Sequence, residues 1–218
     1  MAIALGAATV ARRVAPASDG RTRRAQRSRG AIVDALHALV GEGVTHPTAQ
    51  QVAARAGVGM RSVFRHFADM EALYAALGAR VRTDVRSLFA AEPTPGPVRS
   101  RLRALVGRRA AFFDRIAPYK RAAVAHARRS PFLQARHREL TALLREELRR
   151  WLPELAAAPP AVAAALELLT SFEAWDRLRS EQRLASARAR ETVEQAVLAL
   201  ARELEEARSR RHHREIDP

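Results

Sequence analysis

The chain contains no cysteine and a single lysine, Lys120. Without cysteine there is no disulfide framework, no thiolate nucleophile and no thiolate metal site, and the chain suits a reducing compartment such as the cytoplasm. Long hydrophobic runs are missing too, and no stretch approaches the roughly 20 apolar residues of a membrane-spanning helix. The weakly apolar run from Ile3 to Val10 is followed, not preceded, by Arg12 and Arg13, the reverse of a secretory signal, so neither export nor a membrane is expected. No glycine-rich loop follows a strand pattern, which removes the phosphate-cradling motifs. His126 and His137 fall on different predicted helices, and the carboxylates are scattered as solvated pairs such as Glu146 and Glu147. With no nucleophile beside a base and no cluster of ligands, neither catalysis, a cofactor nor a metal is expected.

What is present is a globular composition, 48% hydrophobic over 218 residues, enough for one large or two small domains. The formal net charge is +15, which suits a polyanionic partner. The surplus is spread: ten cations face five acids in residues 1–77, 24 face 16 in 78–207, and four face two beyond. Nearly all cations are arginine, and with abundant alanine this reads as compositional bias. Charge therefore permits a nucleic-acid partner without pointing to one.

The informative stretch runs from Thr48 to Leu73. Thr48 offers an N-cap oxygen after Pro47, and Val52, Ala53 and Ala56 form an apolar stripe at helical spacing. Gly57 follows where a left-handed backbone is cheapest, with Val58 as an apolar plug in the turn. Met60, Val63, Phe64 and Phe67 then recur three and four apart, while Arg61, Ser62, Arg65 and His66 project to the sides. Asp69 caps the next helix, which continues through Leu73, Leu77 and Val81. Two short helices about a glycine turn, followed by a capped third, is the layout of a helix-turn-helix.

The order of these residues resembles the DNA-binding domain of the tetracycline-repressor (TetR) family of bacterial regulators. The likeness extends back through Arg29, Ile32, Ala35, Leu39 and Gly43, and spans Arg24 to about Val81. Beyond that point only the region of Phe172, Trp175 and Leu178 is similar to a late helix of the family. The resemblance implies an all-α protein: an N-terminal three-helix helix-turn-helix DNA-binding domain, then a larger helical dimerisation and ligand-binding domain. The expected divisions are a disordered basic arm over 1–22, the reading domain over 23–70, the regulatory domain over 71–207 and a polar tail over 208–218.

Periodicity places the remaining helices. The first runs from Arg24 to Gly41, with Ile32, Ala35, Leu36, Leu39 and Val40 inward. The fourth runs from Met70 to about Ala90, and a break follows over Glu92 to Gly96. A fifth starts at Pro97, Pro118 marks a new start, and a short helix reaches Arg128. Ser130 and Pro131 cap a longer one ending at Pro153. The last two, Ala161 to Arg183 and Ala187 to Ala207, have broad apolar faces, and the resemblance implies that they pair with their copies in a homodimer.

In a helix-turn-helix the second helix presents its first residues to base edges in the major groove. Gly59, Met60, Arg61 and Ser62 open that helix here, and Arg61 is the long side chain able to grip guanine with two bonds. Arg65, one turn on, reaches a base or a phosphate. The resemblance implies phosphate contacts for Thr48 and His66, a base-edge position for Gln50, and a steadying role for Arg29 at the start of the first helix. Two positions depart from the family's pattern: Phe64 stands where a phosphate-binding tyrosine is common, and Met70 where a lysine is.

The resemblance further implies a double-stranded DNA operator and a small-molecule effector, of hydrophobic character, whose binding releases a repressor. Bulky or polar residues on aliphatic faces, Phe112, Phe113, Tyr119, His126, Trp151, Phe172 and Trp175, are the expected pocket lining. The alternative is a non-specific DNA-packaging or structural helical protein. That reading accounts for the arginines but not for the residues from Thr48 to Leu73.

Overall fold

A computed structural model describes residues 17–89, 92–93, 95–127 and 130–216. Every regular element among them is helical: α1 (Ala17–Gly41), α2 (Ala49–Ala56), α3 (Met60–His66), α4 (Met70–Phe89), α5 (Val98–Ala127), α6 (Pro131–Trp151), α7 (Pro160–Leu169), α8 (Phe172–Asp176) and α9 (Ser186–Ile216). A 3₁₀ turn (Pro153–Ala156) follows α6, and a π turn (Arg177–Glu181) follows α8. Helices α1 to α3 form the small N-terminal unit, α4 leads out of it, and α5 is the axis against which α1, α4, α6, α8 and α9 pack.

The N-terminal unit closes on the stripes that periodicity indicates. Ile32, Ala35, Leu36, Leu39 and Val40 of α1 are buried with Val52 and Ala53 of α2, Val63 of α3 and Phe67 just beyond it. Two expectations change here. Helix α1 begins at Ala17, ahead of the expected Arg24, so the basic residues Arg21 and Arg23 stand on its first turns; residues 1–16 of the expected arm lie outside the described residues. Met60 and Phe64 do not join the core and remain 53% and 46% exposed. A helix of 7 residues lying across α1 and α2 offers them only a narrow arc, which Val63 and Phe67 fill.

The larger unit departs from the predicted breaks in two places. Helix α5 runs unbroken through Pro118. An internal proline costs about 3 kcal/mol, yet Ile116, Ala117 and Ala122 on either side of it are buried, and that packing offsets the lost backbone bond. Conversely, the predicted helix Ala161–Arg183 is divided. The Thr170 hydroxyl donates back to the Leu166 carbonyl (2.7 Å) and the Ser171 hydroxyl caps α8 by accepting from Ala174 N–H (3.1 Å), so local side-chain bonds end one helix and start another. Helix α9 extends to Ile216, past the expected end at Ala207.

Three arginines buried or half-buried on α5 and the π turn tie the larger unit together. Arg101 donates to the Trp151 carbonyl (2.6 Å) and pairs with Glu154, fixing the start of α5 to the end of α6. Arg109 pairs with Glu147 of α6 (3.1 Å) and donates to both the carbonyl and the hydroxyl of Thr170 (2.7 Å each). Asp114 accepts from Trp175 Nε1 (3.1 Å) and from Arg179 (3.2 Å), joining α5 to α8 and the π turn. Buried ion pairs of this kind fix geometry more than they add stability.

Candidate nucleic-acid interface and the cavity behind it

The turn between α2 and α3 is set by its two ends. Thr48 closes a capping box: its hydroxyl accepts from Gln51 N–H (3.2 Å), and the Gln51 side chain accepts from Thr48 N–H (2.9 Å). At the other end Gly57 takes φ +65°, and its N–H bonds back to α2. A Cβ placed on Gly57 would meet nothing within 4 Å, so only the backbone resists a side chain there. Gly57→Ala is accordingly expected to lower stability by about 1–2 kcal/mol, read as a loss in thermal midpoint, with a smaller loss for Gly57→Asn.

This frame presents α3 by its first turn. Gly59 is the N-cap without a side-chain bond, and Met60, Arg61, Phe64 and Arg65 are all exposed. Arg61 makes no hydrogen bond or ion pair with another described residue, whereas Arg65 donates to the Ser62 hydroxyl (3.2 Å). Arginine on the first turn is therefore unengaged, and the second arginine is oriented along the helix. The exposed Met60 and Phe64 add apolar surface beside it, of the kind that packs on thymine methyl groups. Gln50 is exposed on α2.

The flanking positions are arranged less simply. The Arg29 guanidinium lies over the Phe67 ring at 4.7 Å, holding α1 against the end of α3. His66 is half-buried, with Nε2 turned inward and without a hydrogen-bond partner. Met70 packs against the core, and Asp69 accepts from Ala72 N–H (2.8 Å) as the cap of α4. The ion pair Arg55–Glu42 braces α2 against the end of α1 and holds the Glu42 carboxyl below its usual range.

Behind the interface lies a cavity of about 510 Å³ between α4, α5 and α6. Its walls are mostly apolar: Leu77, Val81 and Val85 of α4, Phe112 and Ile116 of α5, and Phe132 of α6. Tyr74 lines it as well, and burial pushes that phenol up to about 12. Tyr119 stands at the junction, on the cavity wall and stacked on His37 of α1 with ring centroids 4.7 Å apart.

Of the seven pocket residues expected from sequence, Phe112 and Tyr119 line this cavity. Phe113, Phe172 and Trp175 form a separate aromatic cluster, with Phe113 edge-on to Phe172 at 5.7 Å. Phe113 and Trp175 border only a void of about 10 Å³, room for one water at most. Trp151 is buried beneath the Arg108 guanidinium, away from the cavity. The side chain of His126 lies outside the described residues. Sequence reasoning missed the α4 wall and Lys120; the small and aliphatic run Ala75 to Ala79 was the available signal for the wall.

Residues 32–77 match the family described as bacterial regulatory proteins, tetR family. Among solved structures, a transcriptional regulator from Rhodococcus sp. Rha1 is similar at 18% identity, covering 82% of this chain and 96% of that chain with a TM-score of 0.59. A tetR-family transcriptional regulator from Streptomyces coelicolor is similar at 22% identity, covering 82% of this chain and 80% of that chain, also with a TM-score of 0.59. No curated protein matches the sequence.

Proposed function

We propose that this chain, whose residues 32–77 match the tetR family of bacterial regulatory proteins and whose helical body has the fold of solved regulators, is a dimeric repressor released by a small molecule. The observation that carries the reading is the exposed first turn of α3, with Arg61 unengaged on a capped and buried frame. Arg61 reads a guanine, Met60 and Phe64 read thymine methyl groups, and Gly59 brings the backbone close to the groove. Ser62, Gln50 and Arg65 contribute bonds to base edges or phosphate. Thr48, at the start of α2, and His66 meet phosphate, and Arg29 holds α1 in place for both.

The division of labour follows the helices. Residues 23–70 read DNA and 71–207 sense and dimerise. Helix α7 offers an apolar stripe of Ala161, Ala164 and Leu168, the last 64% exposed, and this stripe with the outer face of α9 forms the contact between copies. A two-fold dimer reads a pseudopalindrome. Helix α4 begins directly behind α3 and walls the cavity, so a ligand that prefers a different tilt of α4 shifts the spacing of the two reading heads. Acting on bacterial DNA, the protein works in the cytoplasm.

The experiment is selection of genomic fragments by the purified protein at near-physiological salt. A single enriched palindrome, bound about a thousandfold or more above random duplex, is the expected result. Uniform, salt-sensitive binding of all fragments would overturn the reading and favour a packaging role.

A further inference from the structure

We propose that the first turns of α1, Gly20 to Arg27, are a second DNA contact: a basic helix that lies along the phosphates beside the reading helix and strengthens binding to any sequence. The inference rests on the reading of α3 as the DNA-reading helix and adds a contact outside it. From Gly20 to Arg27 every residue is exposed, and Ile32 is the first buried residue of α1. A Cβ placed on Gly20 or on Gly30 would meet nothing within 4 Å, so no described residue packs on either side of this stretch. Residues 17–30 carry five arginines, Arg21, Arg23, Arg24, Arg27 and Arg29, against one acid, Asp19.

Nothing within the chain accounts for a helix here. A stretch that is polar all round has no face to bury, and a short isolated helix is marginal in water. Gly20, Thr22, Ser28 and Gly30 are weak helix formers. Arg21, Arg24 and Arg27 recur three apart and Arg23 stands four before Arg27, so like charges occupy neighbouring positions and repel. A polyanion laid along these arginines turns that repulsion into attraction and supplies the surface that the fold does not.

Position selects duplex DNA as that polyanion. A reading helix enters the major groove by its first turn, so its last turn lies toward the rim of the groove and the phosphates. The Arg29 guanidinium holds α1 on Phe67, at that end of α3, and ahead of Arg29 the helix continues for about 18 Å. The basic stretch is thus continuous with the reading surface. Its form decides what it touches. A helix about 10–12 Å across cannot enter a minor groove about 6 Å wide, so these arginines meet phosphates and not base edges. Such contacts add affinity without sequence preference.

The test is the salt dependence of binding by the intact protein to its selected operator and to random duplex. Arg21→Gln, Arg23→Gln, Arg24→Gln and Arg27→Gln combined keep good helix formers at exposed positions. Each phosphate contact contributes about 0.9 to the slope of log affinity against log salt, so this variant should lower the slope by about three or more on both duplexes. Its base preference should match the wild type. Arg138→Gln, Arg149→Gln, Arg150→Gln and Arg202→Gln combined remove the same charge from exposed positions on α6 and α9, and should change the slope by less than about one. An unchanged slope in the first variant, or an equal fall in the second, overturns the proposal. Gly20→Ala with Gly30→Ala should tighten both duplexes about threefold or more, because the helix is then formed before it binds. No change or a weakening overturns the helical contact. Should the α1 arginine variant fail to fold, hydrogen exchange of the wild type decides: operator should slow the amides of residues 20–28 about tenfold or more, and unchanged exchange overturns the proposal. A selected palindrome bound by the α1 variant with the wild-type slope overturns this contact and leaves the reading of α3 standing. Absence of any selected palindrome overturns both.

Discussion

Arg109→Met is expected to cost the protein about 3 kcal/mol, the lower end of what breaking one side of a buried ion pair costs. The side chains of Arg109 and Glu147 are 5% and 3% exposed, and the guanidinium also donates to Thr170 and to the Leu144 carbonyl. Removing it leaves the Glu147 carboxylate in the interior with only Arg108, 3.5 Å away, to offset its charge. That remaining contact is why the lower end applies. For a chain of this size the loss corresponds to a fall in thermal midpoint of about 6–12 °C at fixed protein concentration. Removing both charges separates the pair's cost from its geometry: Arg109→Met with Glu147→Leu should recover most of the loss, because two desolvated ions are deleted together. The Thr170 hydroxyl keeps its bond to Leu166, so it is not stranded by the double change. A single variant that unfolds within about 0.5 kcal/mol of the wild type, the range of a surface substitution, would show that the pair is not buried in solution.

The same clamp marks where sequence reasoning stops. Arg101 and Arg109 sit on a helix face otherwise filled by Leu102, Leu105, Val106 and Phe113, and such residues read as a stripe with solvated interruptions. Their burial depends on carboxylates far along the chain, Glu154 and Glu147, and pairings at that separation leave no periodic trace. Local signals fared better. Thr48, Gly57 and Asp69 each act through neighbours within a few residues, so the helix-turn-helix and its caps were legible. Pro118 misled because the helix rule is local while the burial that overrides it is tertiary. Thr170 and Ser171 misled in the other direction, since their hydroxyl bonds end α7 within an unbroken apolar pattern. Aromatic residues were a poor guide to the cavity. Phe113, Phe172 and Trp175 fill the space between α5 and α8 with one another, whereas the open volume lies where α4 carries the small side chains Ala75, Gly78 and Ala79.

Arg61→Ala is expected to weaken binding to the selected operator by about 1–3 kcal/mol, roughly fivefold to more than a hundredfold, while leaving affinity for random duplex nearly unchanged. The asymmetry comes from what the side chain is free to do. Arg61 is exposed on the first turn of α3 and bonded to no other described residue, so its fork is available for the two acceptors of a guanine edge, and such a bond exists at one base pair only. Removing it relaxes the sequence logo at that position and touches neither the frame nor the phosphate contacts. Arg65 provides the contrast. Its guanidinium is drawn toward Ser62 along the helix, and Arg65→Ala should weaken all duplexes alike and reduce the salt slope by about one. Phe64→Tyr and Met70→Lys belong to the same comparison, because each adds a phosphate-directed group where the resemblance places one. Together they should tighten operator and random duplex by the same factor. The measurement is a binding isotherm for each variant on the operator, on single-base variants of it and on random duplex, at two salt concentrations. If Arg61→Ala lowered affinity for every duplex equally, Arg61 would be a backbone contact, and base reading would pass to Gln50 and the apolar pair Met60 and Phe64.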